Sequence, residues 1–186
     1  KLTVSDLFSD RTSYMLSKIC GELMCNLNKN LQHVNIRPHN FYGPRMGFSH
    51  VIPELMKKIY FSKNGSVKIS SPNHRRSFCY IDDAINIIYK LSISKKTNQN
   101  TYNIGSTDKS ITIIQLAKKI KKLLNRNTIL IRSTTEMGSP VNRRADMKKI
   151  KKIIKFDTKF KLDKGLKETY DWYLNNIFIK NKKTFI

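Results

Sequence analysis

Short β-branched stretches alternate with amphipathic ones along almost the whole chain. His33–Arg37, Gly65–Ser70, Arg76–Ile81, Tyr102–Gly105 and Thr128–Ile131 have strand character. Between and around them, apolar residues recur at helical spacing from Ser9 or Asp10 (a cap candidate) to about Asn30, over Val51–Phe61, from an Asp82 cap to about Leu91, and from Thr112 to about Asn125. Two further helices are expected over about Met147–Ile154 and Lys164–Asn176, ahead of a basic tail ending at Ile186. Polar loops fill 38–50 and 134–144, the latter holding Gly138 and Pro140. Such alternation buries strands in a sheet with helices packed on it, so the expected class is α/β with parallel pairing. At 186 residues the chain suffices for one ordinary domain and is marginal for two.

Lys+Arg 36 against Asp+Glu 13 gives a net charge of +23, which first points to an acidic partner. The runs Lys118–Lys122 and Lys148–Lys152 could line helix faces against phosphates as a basic nucleic-acid-binding module. The lysines, however, are spread along the whole chain together with abundant isoleucine and asparagine, the bias of AT-rich coding, and solvated helix faces explain the runs equally. Nucleic acid is therefore the minor reading. Cys20, Cys25 and Cys79 are odd in number and lack metal-type spacing, which suits reduced packing thiols. No apolar run approaches the ~20 residues of a membrane span, and no signal-peptide pattern opens the chain. A cytoplasmic protein without a membrane partner is expected.

Three segments carry candidate chemistry. Tyr14 and Lys18 lie four apart on the first helix, so they share a face. A fixed cation beside a phenol favours its ionised form, which suits a general base for an alcohol that loses hydride; an ordinary solvated face is the competing explanation. The loop Arg37–Arg45 follows a strand at the edge where α/β sheets place ligands. His39 and His50 lie in or near it, but without a thiolate or carboxylate cluster they are not expected to bind metal. Finally, the arginines of His74–Asp83 and of Arg143-Arg144-Ala145-Asp146 suit phosphate because a guanidinium donates two parallel hydrogen bonds, the competing explanations being a surface arginine with a helix-capping aspartate and a helix-start ion pair.

Taken in order, these segments resemble one family, the extended short-chain dehydrogenase/reductases that act on nucleotide sugars: NAD-dependent epimerases, 4,6-dehydratases and decarboxylases. Tyr14 to Lys18 is similar to its Tyr-x-x-x-Lys, Arg37 to Pro44 to its Arg-Pro-x-Asn-x-Tyr-Gly-Pro, and Val51-Ile52-Pro53 follows in place. Arg76 to Ala84 resembles Arg-x-Phe-x-Tyr-Val-Asp-Asp, Tyr102 to Gly105 resembles Tyr-Asn-Ile-Gly, and Arg144-Ala145-Asp146 the late Arg-x-Asp region. Gly165-Leu166 to Trp172-Tyr173 is similar to the closing helix.

The resemblance implies transient oxidation at sugar C4 with NAD as the hydride carrier. It implies Tyr14 as the acid/base, Lys18 on the nicotinamide ribose, and Pro38 near the nicotinamide end. Asn40 would contact the substrate diphosphate and Val51 would line the nucleotide pocket. Arg76 and Arg144 would clamp the diphosphate, with Asp146 holding Arg144 or a ribose hydroxyl. A UDP- or dTDP-sugar is the implied substrate and a homodimer the implied state of the complete enzyme. The implied fold is the C-terminal part of a Rossmann-like parallel sheet interleaved with a smaller α/β substrate domain. Residues 1–45 would close the dinucleotide domain and 46–186 form the sugar-nucleotide domain, with 76–105 returning to the Rossmann-like sheet.

One departure is marked. None of the seven glycines forms the family's Gly-x-x-Gly-x-x-Gly cradle for the NAD pyrophosphate. The chain also starts with Lys1, in mid-pattern. A C-terminal fragment is the expectation, binding NAD poorly by itself, turning over little and prone to aggregate through exposed sheet edges. A non-catalytic sugar-nucleotide-binding subunit is the alternative.

Overall fold

Among the described residues, four of the five strand pairings are parallel, as a chain alternating between strand and helix requires. The structure, a computed structural model, describes residues 12–63, 65–135 and 140–180. Helix α1 (Thr12–Leu27) leads to β1 (Val34–Pro38) and the short β2 (Phe41–Tyr42). Then come α2 (Val51–Phe61), β3 (Ser66–Ile69), β4 (Arg75–Arg76), β5 (Cys79–Tyr80) and α3 (Ile81–Ser92). Next are β6 (Asn100–Ile104), β7 (Ile111–Thr112), α4 (Ile113–Leu123), β8 (Ile129–Arg132) and β9 (Asn142–Arg143). The single turn α5 (Lys148–Lys151) and α6 (Leu162–Tyr173) follow, with a π-helical turn at Leu174–Phe178.

Among the described residues the strands form four small sheets: β1 with β6, β2 with β5, β3 with β8, and β7-β4-β9. Helices cover them through stripes that the sequence spacing dictates. In α2, Ile52, Leu55, Met56 and Ile59 are buried, and in α4 Ile113, Leu116, Ala117 and Ile120 repeat the same offsets. Thr112 caps α4 in a capping box with Gln115. The same periodicity puts Lys118, Lys119 and Lys122 on the solvent side of α4, where Lys119 pairs with Asp163. One hydrophobic cluster joins α2, α4 and α6; a second gathers Ile87 of α3, Tyr102 and Ile104 of β6, and Ala145, Met147 and Ile150.

Several expectations change. The stretch Arg76–Ile81 is not one strand: β4 pairs with β7 and β9, then Ser77 and Phe78 break the ladder, and β5 pairs with β2. Asp82 does not cap α3. Tyr80 holds the cap position in extended backbone, so Asp82 falls in the first turn, where its charge favours the helix dipole. Asp83, 4% exposed, instead reaches out of the helix and accepts the backbone N–H groups of Lys159 (2.8 Å) and Phe160 (3.0 Å). The helix expected over 147–154 shrinks to one turn, because Ile150 is the only buried residue of α5 and so short a helix does not sustain itself. The loops of 38–50 and 134–144 contain β2 and β9. The proposed caps Ser9 and Asp10, Gly138 and the basic tail lie outside the described residues.

Asp83 thereby pins 159–160 over the β5 strand, where Phe160 stacks on Tyr80 with ring centroids 4.3 Å apart. Tyr80 in turn meets Tyr42 edge-on at 5.5 Å, and the Tyr42 hydroxyl donates to the Leu162 carbonyl at 3.4 Å. Gly165 of α6 sits against this aromatic pair: a Cβ there would overlap the Tyr42 hydroxyl and lie 2.9 Å from Tyr80 Cδ2. Exchanging a helical glycine for alanine ordinarily stabilises by about 1 kcal/mol. Overpacking costs about 1–3 kcal/mol, so here the sign reverses. Gly165→Ala is expected to lower stability to denaturant, and Tyr42→Phe in that background to restore part of the loss; a more stable Gly165→Ala chain would refute this packing.

Candidate functional site

Helix α1 buries only Thr12, and Leu23, Met24 and Leu27 stay exposed, so packing alone holds it weakly. A polar contact fixes it instead. Glu22 accepts from Arg37 Nε and Nη2, both at 2.6 Å, a bidentate pair that ties α1 to β1 and raises the Arg37 pKa through the Glu22 hydrogen bond. One turn earlier, Lys18 Nζ lies 5.3 Å from the Tyr14 ring centroid, as the four-residue spacing dictates. Tyr14 is 65% exposed, so the pair faces outward rather than into an apolar pocket.

Beyond β1 the backbone turns at Asn40, a non-glycine residue at φ 49°. That geometry lets one residue grip the break between β4 and β5. The Asn40 carbonyl accepts from Cys79 N at 3.1 Å, and its side-chain Nδ2 donates to the Ser77 carbonyl at 2.9 Å. The grip shapes a cleft of about 430 Å³, lined among others by Pro38, Asn40, His50, Val51, Phe78 and Arg143. His50 and Val51 are where α2 begins, so the cleft meets a helix N-terminus whose first N–H groups lack intrahelical partners. Three expected site residues, Pro38, Asn40 and Val51, thus come together. Tyr14 and Lys18 line none of the described cavities.

The two late arginines part company. Arg143 lines the cleft, whereas Arg144 and Asp146 line a separate cavity of about 400 Å³ with Ser106, Thr107 and Lys148. Arg144 Nη2 donates to the Thr107 carbonyl at 3.0 Å, and Asp146 Oδ1 accepts the Lys148 N–H at 2.9 Å rather than holding Arg144. Parallel pairing sets Arg76 directly opposite Arg143. Burial first, and the Arg143 charge second, lower the Arg76 pKa, while its Nη1 donates to the Arg75 and Val141 carbonyls. Arg143 thus brings a guanidinium to the cleft, and Arg76 stands opposite it in register without lining that space.

Sequence reasoning takes the stretch Arg143-Arg144-Ala145-Asp146 as a phosphate candidate and settles on Arg144 through the family resemblance. Only Asn142–Arg143 is strand and Val141 is 64% exposed, so no alternation along this stretch separates Arg143 from Arg144; the register of β9 with β4 does. His50 was weighed only as a metal ligand; its place in the cleft follows from α2 starting one residue later. Among the described residues no group of three or more His, Cys, Asp or Glu side chains could hold a metal.

His39, the residue between Pro38 and Asn40, is half-buried and its Nδ1 makes no hydrogen bond. Gly105 lets it approach, since a Cβ there would lie 3.2 Å from His39 Cβ. Burial lowers the His39 pKa, Arg143 and Arg37 lower it further, and a hydrogen bond with Asn103 opposes them.

Comparison with known proteins gives this geometry a context. The sequence model described as NAD dependent epimerase/dehydratase family matches residues 2–105. GDP-L-fucose synthase 1 of Arabidopsis thaliana is 29% identical over 176 residues, which is 88% of this chain and 53% of that protein. UDP-N-acetyl-alpha-D-glucosaminuronate decarboxylase of Bacillus cytotoxicus is 27% identical over 175 residues, 88% of this chain and 53% of that protein. The chain spans about half the length of the curated relatives it matches. In fold it is similar to an epimerase of Methanothermobacter thermautotrophicus, with a TM-score of 0.82 and 20% identity over 94% of this chain and 54% of that one. The UDP-glucose 4-epimerase of Thermotoga maritima superposes with a TM-score of 0.78 and 22% identity, covering 88% of this chain and 54% of that one.

The His39 shift has a thermodynamic consequence. Above the unfolded value of about 6.5 the imidazole is neutral in both states, so stability is full. As pH falls through that value the unfolded chain takes a proton that the folded chain refuses, and stability drops until folded His39 protonates too. Denaturant unfolding of the wild type should therefore weaken from pH 7 towards pH 5, and His39→Gln should flatten that limb. Parallel limbs in the two proteins would contradict a depressed His39.

Proposed function

Because the chain belongs to the NAD dependent epimerase/dehydratase family, we propose that it binds a nucleoside-diphosphate sugar in the cleft of Pro38, Asn40, Val51 and Arg143 and that Tyr14 is its proton-transfer group for oxidation at sugar C4. The observation that carries the reading is the cleft: it joins the loop after β1, the start of α2 and an arginine from β9 around one space. Arg143, with Arg76 behind it in register, would hold the diphosphate, and the N-terminus of α2 adds N–H donors. This replaces Arg144 with Arg143 as the inner diphosphate ligand.

The Tyr14 and Lys18 pair suits the nicotinamide-ribose end of the cofactor, with Pro38 beside it, while the chain's scattered glycines supply no cradle for the pyrophosphate. NAD, when bound, supplies the hydride acceptor. Tyr14 takes the C4 hydroxyl proton and later returns it, and Lys18 keeps a positive charge beside the phenol. His50 gives the cleft a second side chain able to exchange protons. A C4 ketone acidifies hydrogens on the adjacent carbons, so His50 favours a reaction in which one of those carbons changes configuration.

Calorimetric titration with a panel of UDP-, dTDP- and GDP-sugars tests the reading. At least one should bind, Arg143→Ala should weaken it about tenfold or more, and Arg144→Ala should change it by no more than about twofold. Where turnover with added NAD is measurable, Tyr14→Phe should slow it about 10²–10⁴-fold with little change in KM. Loss of binding on Arg144→Ala but not on Arg143→Ala would overturn the arrangement. Tight binding with no turnover under any condition would favour a sugar-nucleotide-binding subunit.

A further inference from the structure

A second cavity, of about 210 Å³, shares Val51 with the first. A diphosphate held by Arg143 in the first leaves the nucleoside end to enter the second. From its lining we infer that Glu54 and Lys58 read the base of the substrate nucleotide and select guanine over uracil and thymine. The inference rests on the nucleoside-diphosphate reading above.

Glu54 and Lys58 are one turn apart on α2, line this cavity and form an ion pair. Lys58 Nζ donates to Glu54 Oε1, which leaves Oε2 and the remaining ammonium hydrogens for a ligand. The pair therefore presents an acceptor edge beside a donor. Guanine offers the complement on one edge: N1–H and the 2-amino group are adjacent donors, and O6 beside them is an acceptor. The carboxylate can take both N–H groups while the ammonium reaches O6. Uracil and thymine carry one N–H flanked by two carbonyls, so a carboxylate approaching it meets an oxygen on either side. Adenine presents the N1 lone pair where guanine presents N1–H.

The rest of the lining suits a flat heterocycle with polar edges. Leu55, Ile69 and Ile113 supply apolar surface, and Ser49 and Ser70 supply hydroxyls. His74 is the independent sign of a ligand. It is 4% exposed, it lines the cavity, and its buried Nδ1 makes no hydrogen bond. Such a group is stable when a bound molecule completes its hydrogen bonding.

The full chain should be titrated calorimetrically with GDP, UDP, dTDP and ADP at one ionic strength. With a net charge of +23 every diphosphate gains from the cationic surface, and comparison among the four cancels that contribution. GDP should bind about 10- to 100-fold tighter than UDP or dTDP. Glu54→Gln should erase most of that preference by weakening GDP and leaving UDP unchanged, and Lys58→Met should weaken GDP alone. UDP bound as tightly as GDP overturns the inference while the proposed function stands. ADP bound as tightly as GDP overturns the edge reading in favour of purine size. If none of the four binds, the nucleoside-diphosphate reading fails and takes this inference with it.

Discussion

The grip of Asn40 on the chain crossing between β4 and β5 is the contact around which the cleft is built. Residues 75–80 leave one sheet and enter another within six residues, and such a crossing exposes backbone groups that no ladder satisfies. Asn40 answers both sides of the break, the carbonyl of Ser77 and the N–H of Cys79, and can do so because asparagine tolerates left-handed backbone. Downstream of the crossing the chain passes directly into α3, whose Asp83 fixes 159–160 and with it the aromatic stack on Tyr80. The two hydrophobic clusters are thus joined by polar contacts to backbone rather than by a shared apolar core.

A second polar contact has a similar standing at the edge of the molecule. Arg37 and Glu22 hold the helix bearing Tyr14 against β1, while the exposed Leu23, Met24 and Leu27 contribute little to that attachment. Charged side chains on partly exposed surface stabilise modestly, yet a bidentate arginine–carboxylate pair fixes orientation well. Orientation is what matters for Tyr14 and Lys18, since their helical spacing sets their mutual distance but not the direction in which the pair faces.

Cationic charge is abundant here, so its position carries more information than its amount. The lysines of α4 face solvent because the apolar stripe of that helix claims the opposite side. Arg76 and Arg143 meet because parallel strands bring in-register residues to the same face. Lysines along a helix suggest phosphate binding to a reader of composition; strand register is what sets Arg76 opposite Arg143, the arginine that lines the cleft.

Much of the fold was legible locally. The α2 stripe from Ile52 to Ile59 and the Thr112 capping box depend on residues within two turns of each other, so the sequence alone determined those helices and their buried faces. It also determined that Tyr14 lies beside Lys18, a contact set by helical pitch. Local pattern could not reveal the split of Arg76–Ile81 between two sheets, because β4 and β5 find their partners at residues 111–112, 142–143 and 41–42. Nor did it lead to Arg143 over Arg144 or to His50 in the cleft. Those placements are set by strand register and by where α2 starts relative to a loop far away in sequence. Spacing along the chain dictates which side chains share a face of one element; only the packing of distant elements decides which faces enclose a common space.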